Sequence, residues 1–192
     1  MSRLRRTGVA AILAGALIFA GQGGELIFGS PSDLVDGVFV ALWAGGVLAL
    51  GLAFAGMRAL LRGSRAGQIA AWLGIAGSAL LAAFAVQVTV EVARTGDIPE
   101  NFVLFAPGFL LIFLAHVLVI SPLRRFPVGG AWVLLLVALA GGIVAAAVDI
   151  DPAGRFPSIH DIGLFVFEGA WIALGVVLLL RADPSTHRTD PH

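Results

Sequence analysis

The chain has 192 residues, of which 59% are hydrophobic and only 12% are charged, and its mean hydropathy is +0.99. A soluble domain carries about a quarter charged residues, so this composition indicates an integral membrane protein. The formal net charge is zero, which gives no electrostatic basis for binding nucleic acid. Cysteine is absent, and this excludes disulfides, thiolate catalysis and cysteine-ligated zinc or iron–sulfur sites.

Six apolar stretches are long enough to cross the hydrocarbon core, which takes about 20 residues of helix. Because turn residues and charges separate them, we predict an all-α polytopic bundle of six transmembrane helices. Residues 1–182 form one transmembrane domain, and 183–192 form a disordered cytoplasmic tail. The first run exceeds the usual core of a signal peptide, so we expect that helix to be retained. The predicted spans are Val9–Phe28, Leu34–Leu61, Gln68–Ala93, Phe102–Ile120, Ala131–Ile150 and Asp161–Leu180.

The arginines set the predicted orientation, because cytoplasmic loops are enriched in basic residues. With both termini in the cytoplasm, only Arg94 and Arg155 lie outside. All basic residues are arginine, which is typical of a GC-rich bacterial genome, so we expect a bacterial inner membrane. The ten arginines on the cytoplasmic side are Arg3, Arg5, Arg6, Arg58, Arg62, Arg65, Arg124, Arg125, Arg181 and Arg188.

An internal repeat indicates three helical hairpins. Arg6, Arg65 and Arg125 each precede a hairpin, at spacings of 59 and 60 residues, and Trp72 and Trp132 follow the second and third of them by seven. An Ala-Gly pair recurs in the middle of each odd-numbered helix. The alternative is that any bacterial hairpin places arginine inside and polar residues outside.

Small residues recur at every fourth position on three helices, which favours close helix packing or a homodimer face. Leu in place of Gly74 or Gly142 is therefore expected to force helices apart. The bulkier fourth and sixth helices are expected to face lipid or a partner chain. The stripes are Ala41, Gly45, Ala49 and Ala53; Ala70, Gly74, Ser78 and Ala82; and Ala138, Gly142 and Ala146.

Glu168 is the deepest predicted carboxylate, since it precedes Arg181 by thirteen residues and so lies about 20 Å above the cytoplasmic edge. An ionisable residue at this depth is a functional hypothesis by default. The polar residues of the outer half could form a vestibule that binds a cation or shuttles a proton through Glu168. The alternative is that most of them cap helices in contact with water and headgroups. The members are Gln22, Glu25, Asp36, Gln87, Glu91, Asp149 and Glu168.

His116 is a further candidate in the fourth helix, eight residues before Arg124. No second histidine lies in a predicted span, so an interhelical hydrogen bond is favoured over haem ligation. The Asp149–Asp161 loop holds carboxylates and one His without a recognised metal-binding spacing. We therefore predict neither metal nor cofactor. Pro107 is expected to kink its helix.

In its Gly/Ala-rich spans and Arg-tipped hairpins, the chain resembles small uncharacterised six-helix integral membrane proteins of bacteria. Its size and layout are also similar to vitamin-uptake S-components and Insig-like lipid-binding proteins. No nucleophile elbow, HExxH or P-loop is present, so an enzyme ranks last. The first expectation is a bundle that binds lipid or a small hydrophobic ligand or scaffolds a membrane protein, alone or as a homo-oligomer. The alternative is a small proton- or cation-coupled transporter or channel.

The arginine distribution generates a topology test. Reporter fusions at His192 and within residues 151–160 are expected to report opposite sides of the membrane, because an odd number of spans separates the two points. Reporter activity in spheroplasts measures the side. Two fusions on the same side would contradict the six-span arrangement.

Overall fold

The computed structural model describes residues 2–28, 33–95, 103–125, 130–147 and 159–182. Within these ranges it describes all side chains except those of residues 24–28, 33–36, 146–147 and 159–160. The described chain is all-helical and confirms the predicted six helices. They are α1 (Arg3–Phe28), α2 (Asp33–Leu60), α3 (Arg65–Thr95), α4 (Phe105–Arg124), α5 (Ala131–Ala147) and α6 (Ile159–Ala182).

Five of the helices, all except α5, are long and apolar enough to cross a membrane. The described apolar part of α5, Ala131–Ala145, would extend about 22 Å, against a hydrocarbon core of about 30 Å. Large apolar side chains also cover the outside of the bundle: Leu52 is 66% exposed, Val86 63% and Leu180 59%. Outward apolar surface on this scale suits lipid as the surrounding solvent.

The six helices form a ring in chain order. Each helix packs against its two neighbours in sequence, α6 closes on α1, and α4 and α5 have the sparsest contact of the six pairs. Among the described residues, helices on opposite sides of the ring do not approach each other at backbone level. Side chains and space therefore occupy the centre of the ring.

Glycine lets the helix backbones approach at most of these seams. Reciprocal glycine pairs join α1 to α6 and α3 to α4: a Cβ at Gly8 would lie 2.8 Å from the carbonyl oxygen of Gly175, and one at Gly77 would lie 2.7 Å from that of Gly108. A third pair, Gly141 and Gly163, joins α5 to α6 in the same way, at 2.6 Å. Real Cβ atoms do not approach so closely, so the helix spacing at these seams requires glycine.

The predicted small-residue stripes are partly confirmed. On α3, Ala70, Gly74 and Ser78 are buried, as expected. On α5 the close approach is made by Gly141 instead of Gly142, whose Cβ would meet only the Phe167 ring at 3.6 Å. One residue turns a helix by about 100°, so this small difference moves Gly142 off the seam.

The bulkier helices do not lie apart from the core. Trp171 on α6 is 1% exposed, and α6 contacts both α1 and α5. The structure also begins α4 later than predicted, at Phe105, so Pro107 lies in the first turn. Backbone N–H groups of the first turn have no intrahelical acceptor, so the N–H that proline lacks costs no helix hydrogen bond. The kink expected from a mid-helix Pro107 therefore has no basis.

Gly74→Leu is expected to destabilise the protein, because a Cβ at Gly74 would already overlap the buried ring of Phe54. Overpacking of this kind costs about 1–3 kcal/mol. Gly142→Leu is the matched control and is expected to melt no lower than the parent, because a Cβ there makes only ordinary contact with Phe167. Thermal melts in detergent measure both, with Leu111→Ala on half-buried α4 surface as a mild reference. Equal melting of Gly74→Leu and the parent would contradict the glycine-packed ring.

Candidate functional site

A central cavity of about 510 Å³ lies inside the ring, and all six helices contribute side chains to its wall. Its wall is mainly aliphatic and aromatic, with α4 supplying residues from Phe105 to His116. These eleven residue steps give it a length of about 16 Å along the helix axis. Among the described wall residues, polar side-chain groups come from Gln22, Trp43 and His116, and none of these residues is charged.

His116 is 1% exposed, and both of its ring nitrogens are engaged. Nδ1 lies 2.8 Å from the Ile112 carbonyl oxygen, and the Trp171 indole N–H donates to Nε2 over 3.2 Å. This pattern suits the neutral tautomer with the proton on Nδ1, since a proton on Nε2 would face the indole N–H. His116 thus makes the interhelical hydrogen bond that its sequence position favoured, between α4 and α6.

Aromatic rings surround His116 and join α2, α4 and α6 at the centre of the ring. The centroids of Phe54, Phe167 and Trp171 lie 5.6, 5.7 and 5.4 Å from that of His116. Phe54 also packs edge-on against Trp171 at 5.5 Å. Edge-to-face pairs at these distances are stabilising beyond the area they bury. We call these four residues the aromatic cluster; it forms one end of the cavity, to which His116 and Phe167 contribute.

Glu168 faces the protein interior and not the lipid, since it is 0% exposed. Neither carboxylate oxygen has a hydrogen-bond partner among the described residues, so Gln22 and Gln87 of the predicted polar set do not bond to it. It lies between Phe167 and Trp171 on α6 but is not part of the cavity wall. The structure therefore confirms its inward position, without placing it in an open polar vestibule.

Gln22 lies where the central cavity meets a smaller one of about 240 Å³, and it lines both together with Trp43 and Phe105. Its amide oxygen Oε1 is buried and has no hydrogen-bond partner among the described residues. An unpaired buried acceptor costs about 1–3 kcal/mol. This amide oxygen is the only buried side-chain atom without a partner in the described cavity wall.

The other predicted site residues whose side chains are described do not line the cavity. Gln87 and Glu91 are half-buried on α3 and line neither cavity. The side chains of Glu25, Asp36 and Asp149 lie outside the described residues. Of the predicted set, the structure thus brings Gln22 and His116 to one cavity and Glu168 to its border.

The sequence reading missed the aromatic part of the wall. Phe105, Phe109 and Phe113 recur at every fourth position of α4, and His116 continues the same face three residues later. His116, the polar residue at the end of this apolar stripe, was the feature of the sequence that could have predicted that the stripe faces inward. Its phenylalanines were instead interpreted as lipid-facing.

No three His, Asp or Glu side chains among the described residues are grouped so that they could hold a metal ion. The site is therefore defined by the cavity, the unpaired Gln22 amide, the aromatic cluster and the enclosed Glu168. Comparison of the chain with family models, with curated proteins and with solved structures finds no match to any of them.

Proposed function

We propose that this membrane protein binds a small hydrophobic ligand in its central cavity and catalyses no reaction. The cavity carries this proposal: its volume of about 510 Å³ falls within the range of small-molecule sites, which are mainly apolar with a few polar groups. A scaffold for another membrane protein would have no use for such a void, because an empty cavity loses packing contacts. Ligand binding is therefore favoured over scaffolding.

The sparse α4–α5 contact suits a ligand dissolved in the bilayer. Phe109, Phe113, Leu139 and Gly142 belong to these two helices, line the cavity and are only partly buried. In our proposal the ligand passes between α4 and α5, where the ring has the least backbone contact to break. The mainly apolar wall disfavours a polar solute, whose transfer from water carries a desolvation cost.

We also propose that all six helices span a bacterial inner membrane with both termini in the cytoplasm. The arginine distribution supports the orientation, and the position of α5 between two longer helices supports the sixth span. Both tryptophans of the proposed hairpin repeat make a cation–π contact, although with arginines at different spacings: Arg58 lies 4.4 Å from the Trp72 ring and Arg124 lies 4.5 Å from the Trp132 ring. In each case the last turns of an even-numbered helix meet the start of the next odd-numbered helix.

The absence of catalysis is proposed because neither buried hydroxyl among the described residues has an activating base: that of Thr7 donates to the Arg3 carbonyl oxygen, and that of Ser78 has no partner. Ser78 is 2% exposed and its Oγ has no hydrogen-bond partner among the described residues. A serine nucleophile needs an adjacent base within hydrogen-bond distance. His116, the buried imidazole, already uses both ring nitrogens.

Gly142→Leu is expected to lower the affinity for a hydrophobic probe by roughly tenfold, because the side chain would extend into the cavity. The probe is terminally brominated dodecane, whose bromine quenches the fluorescence of Trp43 in the wall and of Trp171 in the aromatic cluster at its end. Trp72 and Trp132, near the cytoplasmic end of the bundle in the proposed orientation, are replaced by Phe throughout.

Ala140→Leu is the matched control, since Ala140 lies on the exposed face of the same helix. It is expected to bind the probe like the parent. Equal quenching in all three proteins, or no saturable quenching in the parent, would overturn the ligand-binding proposal.

We propose a proton-coupled transporter as the second candidate, on one observation: the enclosed Glu168 carboxylate has no described partner. A buried carboxylate without a partner is energetically unfavourable. Within a membrane-spanning bundle such a residue therefore points to a function, such as carrying a proton. In this reading Glu168 takes up and releases the coupled proton within the bundle.

Glu168→Met is expected to stabilise the protein by about 1–3 kcal/mol, because it replaces unpaired polar atoms by an apolar chain of similar length. Glu168→Gln is expected to keep the fold and abolish proton uptake into proteoliposomes loaded with a pH-sensitive dye. Glu91→Gln, on half-buried α3 surface, is the control and should leave uptake unchanged. Uptake in Glu168→Gln equal to the parent, or no uptake in the parent, would remove the transporter reading.

A further inference from the structure

We infer that the ligand of the central cavity is an uncharged amphiphile that carries a hydroxyl group, with this hydroxyl at Gln22 and the apolar body extending toward His116. The inference rests on the proposed function and specifies the chemistry of the molecule that the cavity accepts. Three observations carry it: the charge of the wall, the unpaired amide and the shape of the cavity.

The wall excludes a charged ligand. Among the described residues that line it, none is acidic or basic, and the enclosed carboxylate of Glu168 does not line it. Moving an ion from water into an apolar site without a counter-charge is strongly unfavourable. A fatty-acid carboxylate or an alkylammonium would have no partner in this cavity.

The wall nevertheless requires one polar group from the ligand. The buried Oε1 atom of Gln22 lacks a hydrogen-bond partner among the described residues, whereas His116 has no free ring nitrogen. A hydroxyl both donates and accepts, so it can pair with a side-chain amide in either orientation of that amide. A pure hydrocarbon would leave the Gln22 amide unpaired.

The shape of the cavity orients the amphiphile. Gln22 lies at the end shared with the smaller cavity, beside Phe105, and His116 lies at the opposite end with the aromatic cluster. Between them the wall is formed by side chains such as Leu50, Leu81 and Ile112. A hydroxyl at the first end therefore places an apolar body of about 16 Å against apolar wall along its whole length.

A matched set of twelve-carbon probes tests the inference: dodecanol, dodecane, dodecanoate and dodecylammonium. Each is added to the detergent-solubilised parent at the same mole fraction of the micelle, and apparent affinity is obtained from the rise in melting temperature. We expect dodecanol to bind roughly fivefold more tightly than dodecane, since one net hydrogen bond is gained. The two charged probes are expected to produce no rise.

The variants separate this inference from the function on which it rests. Gln22→Leu and Gln22→Met should retain the response to dodecane and lose the preference for dodecanol, and either alone suffices if the other misfolds. Gln87→Leu, a glutamine outside both cavities, should retain the preference and so controls for micelle effects. Gly142→Leu should weaken the response to both neutral probes by roughly tenfold in apparent affinity.

Each remaining outcome overturns a specific claim. A preference for dodecanol that persists in both Gln22 variants, an equal response of the parent to dodecanol and dodecane, or tighter binding of a charged probe would overturn the inferred ligand class alone. No response of the parent to any probe, or an unchanged response in Gly142→Leu, would overturn the proposed ligand-binding function itself.

Discussion

The close approach of helix backbones at glycine is the constraint on which the rest of this structure depends. Lipid tails are as apolar as leucine, so the hydrophobic effect does not drive one transmembrane helix against another, and contact must come from dense packing. Reciprocal glycine pairs provide it between α1 and α6, α3 and α4, and α5 and α6. These seams close the helices into a ring, and the ring in turn encloses a centre that no helix backbone reaches.

Aromatic contacts at the centre of the ring join every second helix. Phe54, His116 and Trp171 come from α2, α4 and α6, so three helices that are not neighbours meet through side chains. The hydrogen bond from Trp171 to His116 fixes the imidazole and leaves it no capacity for a ligand. Gly74 is linked to this arrangement, because the absence of its side chain provides the space for the Phe54 ring. The aromatic cluster therefore sets the depth of the cavity as well as joining the helices.

The sequence predicted the six helices well because each apolar run is bounded by charges and turn residues. It also predicted that Glu168 faces inward, since the cost of a carboxylate in lipid leaves few alternatives. It could not decide which of Gly141 and Gly142 makes the close contact with α6, because the two adjacent residues both lie near the same small-residue stripe. Only the position of the partner helix decides between them. The inward phenylalanines of α4 were missed for a related reason: lipid and an apolar cavity favour the same side chains. The partnership of His116 and Trp171, 55 residues apart, depends on tertiary contacts that no local pattern encodes.

The cavity is not an unavoidable consequence of the ring. At four of the six seams a described glycine brings helix backbones into contact, but no described glycine makes such a contact between α4 and α5. Gly142 borders the cavity with only ordinary contact to Phe167, so a larger side chain at this one position would occupy part of the void. Such a residue would recover dispersion contacts that the empty space loses. The void and the unpaired amide oxygen of Gln22 each lower the stability of the folded protein, and both belong to the same cavity. An occupant that fills the void and pairs with the amide removes both costs, whereas a hydrocarbon or an ion removes at most one.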